Sequence, residues 1–152
     1  MRMKILHKLI EYDVPVKDLV LIYVLYVRSI CEQSAVVWHS SLTEENRNDI
    51  ERVQKTALKI ILKSEYINYS SALERTNLKT LNERRELLCL KFAKSCIKNK
   101  STEYIFPLNK NRTNLQTRFT EKFYVQHANT ERLKRSPVIC MQNLLNQDDL
   151  RS

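Results

Sequence analysis

The apolar positions of this chain recur at helical spacing, three and four residues apart, through about residue 106. Residues 1–12 read as a short amphipathic helix, closed by "DVPV" with Pro15 as the break. A second helix opens near Val16 or Asp18 and is predicted to reach about Val37, ending at Trp38. Its first half, "LVLIYVLYV", is apolar all round, which predicts a place in the middle of a bundle. Its second half carries Arg28 and Glu32 as an i,i+4 pair. "SSLTEEN" then supplies an N-cap at Ser41 or Thr43, with Glu44 and Glu45 in the first helical turn.

The third helix is predicted over residues 43–63. Ile50, Val53, Ala57 and Ile61 fall in one narrow arc, with Arg52, Lys55, Lys59 and Lys63 as a stripe on the far side. After the loop "SEYINYS" comes a short helix around residues 71–76. "TLNE", residues 80–83, is a capping-box pattern that opens a helix continuing to about Lys98. Leu81, Leu88, Cys89, Phe92, Ala93 and Cys96 form its apolar face, and Arg84, Lys91, Lys94 and Lys98 a basic one. Arg85 breaks the pattern, one turn from both Leu81 and Cys89 inside the apolar arc. A buried charge is costly unless paired, so Arg85 is expected to meet a carboxylate, carbonyls or a partner surface.

From Pro107 the texture turns polar and turn-rich. The prediction is an all-α bundle of about four to five helices, residues 1–106, followed by a basic, partly ordered and loosely packed arm, residues 107–152.

Composition changes this picture in two ways. The chain contains no glycine, where average usage of about 7% would give roughly ten. Phosphate-cradling loops need glycine for positive φ and close backbone approach, so P-loop and dinucleotide-binding readings fail. Tight hairpins lean on glycine too, which weakens any sheet-rich reading. The second change is charge. Lys and Arg number 26 against 17 Asp and Glu, a formal +9, which points to nucleic acid or another polyanion as partner.

Catalytic chemistry finds little footing. Cys31, Cys89, Cys96 and Cys140 form no CxxC pair, and Cys89 and Cys96 stack on one helix face as buried thiols would. His7, His39 and His127 are isolated and complete no metal site. Of the aspartates only Asp148 and Asp149 are adjacent, and their place near the end of the chain predicts a solvated, fraying terminus rather than a two-metal centre. No GxSxG elbow is possible without glycine. The expectation is therefore no catalytic residues, no metal, no cofactor and no small-molecule substrate. The charged "MRMKILHKLIEY" opening is unlike a signal peptide, and the nine-residue apolar run falls short of the roughly twenty needed to cross a bilayer. A soluble, intracellular protein, cytoplasmic or nuclear and without membrane contact, is the corresponding expectation. Tyr66, Tyr69 and Tyr104 are candidates to stack on bases, against the alternative that they pack on helices.

One long stretch is more specific. "LIYVLYVRSICEQSAVVWHSSLTEENRNDIERVQKTALKIIL" resembles the region after the polymerase core in non-LTR, jockey-like retrotransposon reverse transcriptases. The likeness rests on Tyr23, Arg28, residues 35–39 with Trp38, and residues 50–61 with Gln54. It continues through Tyr69, Leu73, Leu78, Leu81, Glu83, Arg84, Arg85, Leu88, Phe92 and Ala93, and "RSPVICMQNLLN" resembles the end of such polyproteins. Ser29, Gln33 and Val36 depart from it, standing where the family pattern has proline, tyrosine and proline.

The resemblance implies a thumb-like helical region of an RNA-directed DNA polymerase, catalytically silent alone, whose palm and aspartates would precede Met1. It implies the palm as a packing partner and primer–template backbone as ligand, with Trp38, Gln54 and Arg85 structural or at an interface. The residues assigned to phosphate contact are Arg52, Lys55, Lys59, Lys63, Arg84, Lys91, Lys94 and Lys98. The alternative is a free-standing helical module that binds a protein through Trp38, Arg85 and the apolar arm.

Overall fold

The computed structural model describes residues 3–109 and 122–149. In chain order its α-helices are α1 Met3–Glu11, α2 Val16–Ile22, α3 Ser29–Glu32, α4 Ala35–Trp38, α5 Glu44–Leu62, α6 Tyr69–Thr76, α7 Leu81–Lys98, α8 Glu131–Lys134 and α9 Pro137–Asp149. A π-helical segment, Tyr23–Arg28, joins α2 to α3 without a break. Among the described residues there is no β-strand, only an isolated antiparallel bridge between Leu108 and Phe123. The fold is all-α, as the periodicity predicts.

The chain divides into two compact units, Met1–Gln33 with Leu42–Arg84, and Ser34–Ser41 with Arg85–Ser152. The division falls inside α7, between its two adjacent arginines, and not at Pro107.

In the first unit α1, α2, the π segment and α5 meet on Leu6, Leu19, Tyr23, Val27, Ala57 and Ile61. Leu58 and Leu62, on a neighbouring arc of α5, pack with Ala72 of α6. The predicted cap of α5 forms, with Thr43 Oγ1 accepting from Asn46 N at 3.2 Å. The capping box of α7 is reciprocal. Thr80 Oγ1 accepts from Glu83 N at 3.2 Å, while Thr80 N donates to Glu83 Oε2 at 3.3 Å. With no glycine to use, the turns put positive φ on Asp13, Ser34, Lys63 and Asn77. Asn and Asp tolerate that region, whereas Lys63 at φ 48°, ψ −120° holds a strained conformation.

Three expectations are corrected here. The second helix ends at Glu32 and not at Val37, because Ser34 turns left-handed (φ 52°) and redirects the chain. It is also not buried all round. Leu19, Tyr23 and Val27 are buried, but Leu21, Leu25, Tyr26 and Ile30 are 55%, 58%, 57% and 42% exposed. A π-helix spaces stacked residues wider than an α-helix does, so these four form one outward stripe. By length and composition alone Val16–Ser41 is also apolar enough to cross a membrane, although it contains the Arg28–Glu32 ion pair and the Ser34 turn.

The third correction concerns the arm beyond Pro107. Residues 110–121 and 150–152 lie outside the described residues; of the remainder, Phe123 and α9 are packed, while residues 124–136 are exposed or half-buried. In the second unit Phe106, Phe123, Met141 and Leu145 share a core with Cys89, Ala93 and Cys96 of α7. Asn146 replaces a missing strand partner, accepting from Phe123 N at 2.9 Å and donating to Phe123 O at 3.0 Å. Sequence periodicity misses Phe106 and Phe123 because each is supplied singly from an irregular segment.

Candidate nucleic-acid interface

The predicted α5 stripe is present and solvent-facing. Arg52, Lys55 and Lys59 are exposed on α5, and Lys63 follows at its C-terminal end, where a cation also complements the helix dipole. Arg52 pairs with Asp49 at 3.2 Å, both side chains more than half exposed. Such a pair is easily exchanged for another anion. The lysines are positioned by aromatic rings: Lys55 Nζ lies 5.2 Å from the centroid of Tyr69, and Lys59 Nζ 5.6 Å from that of Tyr66. These are cation–π distances. Both rings are themselves packed against the Leu58, Leu62 and Ala72 cluster.

Beneath the stripe sits a buried polar network whose hub is Gln54, fully buried. Its Oε1 accepts from Tyr23 OH at 2.8 Å, and its Nε2 donates to Tyr69 OH and to Lys79 O, each at 2.9 Å. Tyr69 OH donates in turn to Glu51 Oε1, which also accepts from Leu81 N at 3.1 Å. Burial pushes the Tyr69 hydroxyl well above its ordinary pKa, and the bond to Glu51 pushes it the same way. Burial does the same, more strongly, to Tyr23. Both phenols therefore stay neutral donors. Gln54 is thus a structural hub, joined to Tyr23, to Tyr69, which takes the helix-packing one of its two expected roles, and through Tyr69 to Glu51. The only sequence signal for this network is that Glu51 and Gln54 lie three apart, beside the apolar arc of α5.

The α7 basic group does not form one comparable stripe. Arg84 is only 31% exposed and its Nε lies 3.1 Å from Glu32 Oε1, which Arg28 also contacts at 3.1 Å. Arg84 is thus taken up in a half-buried cluster with Glu32 and Arg28, unlike the exposed cations of α5. Lys94 lies 2.6 Å from Asp148, and Lys122 lies 2.8 Å from Asp149. The paired aspartates thus each meet a lysine, in pairs that remain about half exposed and are open to exchange. Lys91 and Lys98 are exposed. Phe92, expected on the buried face, is 48% exposed.

Arg85 is wholly buried, as its place in the apolar arc predicts. Its Nε donates to His39 Nδ1 at 3.3 Å, and its guanidinium lies 5.7 Å from the centroid of the Trp38 ring. The "WH" pair thus serves the second unit as a seat for this cation. Arg85 is not available as a surface contact, which removes it from the protein-binding alternative. Burial pushes the Cys89 thiol up to about 11. Cys89 and Cys96 are buried thiols, and none of the four cysteines is in a disulfide. Among the described residues no group of three or more His, Cys, Asp or Glu side chains is placed to hold a metal ion. A groove of about 300 Å³ lies between the α1–α2 turn and the end of α5, lined by Ile10, Val14, Leu19, Ile61 and the charged Asp13 and Lys63. Compared with protein families, curated proteins and solved structures, the chain matches none.

Proposed function

We propose that this chain is a non-catalytic, all-α region that binds the backbone of nucleic acid through the exposed face of α5. The observation that carries the reading is the row Arg52, Lys55, Lys59 and Lys63, solvent-facing and backed by a rigid hydrogen-bonded network, on a chain of net charge +9. Phosphate contacts of this kind are insensitive to base sequence and release counterions. The resemblance to the helical region that follows the polymerase core of non-LTR reverse transcriptases supports the same reading. It makes a polymerase palm the natural packing partner in a full-length parent.

The test is retention of single-stranded DNA or RNA by the purified protein across salt. Four phosphate contacts on a single strand give a log–log slope of about −2.8, which is about a fiftyfold loss between 50 and 200 mM salt. The triple reversal Lys55→Glu, Lys59→Glu, Lys63→Glu abolishes retention without unfolding the protein, since all three side chains are exposed. Retention that survives this reversal refutes the assignment.

A second reading, a protein-interaction module, is favoured by one observation, the exposed stripe Leu21, Leu25, Tyr26 and Ile30. An apolar interface of that kind hardly changes with salt, so the same titration separates the two.

A further inference from the structure

The two tyrosines beside the basic face are committed in a way that fixes what kind of ligand the face takes. Base stacking requires an aromatic ring with a face open to solvent. Tyr69 has a lysine ammonium over its ring, its hydroxyl tied to Gln54 and Glu51, and its flank in the Leu58–Leu62–Ala72 cluster. Tyr66 has Lys59 over its ring and packs in the same cluster. Neither ring is a stacking platform. Each instead restrains the lysine above it, and the two lysines, four residues apart, sit about 6 Å apart along the helix axis.

We propose that Lys55 and Lys59, braced on Tyr69 and Tyr66, form a clamp for neighbouring phosphates of one strand that takes the phosphate chain and ignores the bases. The tyrosines act as positioning residues. The inference rests on the polyanion reading above and narrows it to a ligand class: linear phosphate chains, whether the backbone of a nucleic acid or inorganic polyphosphate.

Three ligands of matched phosphate number test the clamp on the full chain: a single-stranded oligonucleotide, its abasic counterpart, and inorganic polyphosphate. The expected result is that the first two bind within about threefold of each other, because no base contact contributes. Polyphosphate at the same strength assigns the clamp to phosphate chains in general, and tenfold weaker binding of polyphosphate overturns that breadth. An oligonucleotide that binds tenfold or more tightly than its abasic form overturns the clamp while leaving nucleic-acid binding intact. If none of the three binds at low salt, the clamp and the proposed function fall together.

Two variants complete the test. Lys55→Ala with Lys59→Ala lowers the magnitude of the salt slope by about 1.4, the share of two phosphates. Tyr66→Leu keeps an apolar side chain in the cluster but removes the brace. Affinity then falls about threefold at unchanged slope, and Tyr66→Phe restores it. An unchanged affinity in Tyr66→Leu overturns the bracing role.

Discussion

Gln54 and Arg85 are both wholly buried polar side chains, one in each compact unit, and burial asks different things of them. Gln54 is neutral, and its amide is used at both ends, by Tyr23, Tyr69 and the Lys79 carbonyl. Arg85 carries a full charge into an apolar helix face, where it meets an imidazole nitrogen and the face of an indole. A neutral amide is satisfied by a few hydrogen bonds of ordinary strength. A guanidinium needs delocalised or multiple partners as well as packing for its long stem. The first unit therefore fixes three helices on a replaceable hydrogen-bond hub. The second depends on one cation whose loss leaves a large hole.

The largest expected effect follows from that hole. Arg85→Ala destabilises the second unit by about 3–5 kcal/mol, through cavity and lost cation–π contact together. Arg85→Met, which keeps the stem, recovers most of this in denaturant unfolding. If methionine is as damaging as alanine, charge rather than volume holds the site, and the contrast with Gln54 is sharper than drawn.

Gln54→Leu comes next. It keeps the volume but strands the Tyr23 hydroxyl and the Lys79 carbonyl, at a cost of about 2–3 kcal/mol. Amide exchange locates the loss in α5 and α6. A neutral result breaks the claim that the amide is the hub.

Alkali gives the smallest and most diagnostic difference. A thiol or phenol whose folded pKa is raised contributes stability that is complete below its unfolded pKa and is lost as pH climbs toward the folded value, because the native state then binds more protons. For Cys89 the window runs from 9.0 to about 11. For Tyr23 and Tyr69 it opens only above 10.0. Amide protection in the second unit is therefore expected to fall first as pH rises past 9. Cys89→Ala removes that early step. Simultaneous loss in both units would break the distinction.

Local signals were legible where a helix carries its own instructions. The caps Thr43 and Thr80–Glu83, the α5 stripe and the burial of Arg85 are each set by residues within one or two turns. Legibility failed where a partner comes from far along the chain. Arg84 reads as a surface cation until Glu32, 52 positions away, is placed beside it. Lys94 is the same case with Asp148. Trp38 and His39 read as the end of a long helix until Ser34 turns them into the other unit.

By itself, then, the sequence determined the helical class, the starts of α2, α5 and α7 and which face of α5 is charged, because a 3.6-residue period and a capping hydrogen bond are local quantities. Only the tertiary structure decided which cations remain open to solvent, which rings are spent on holding lysines, and that an apolar stripe running from α2 through the π segment to α3 is left outside. Each of those depends on which distant side chain arrives to neutralise, cover or leave a surface, and periodicity does not encode that.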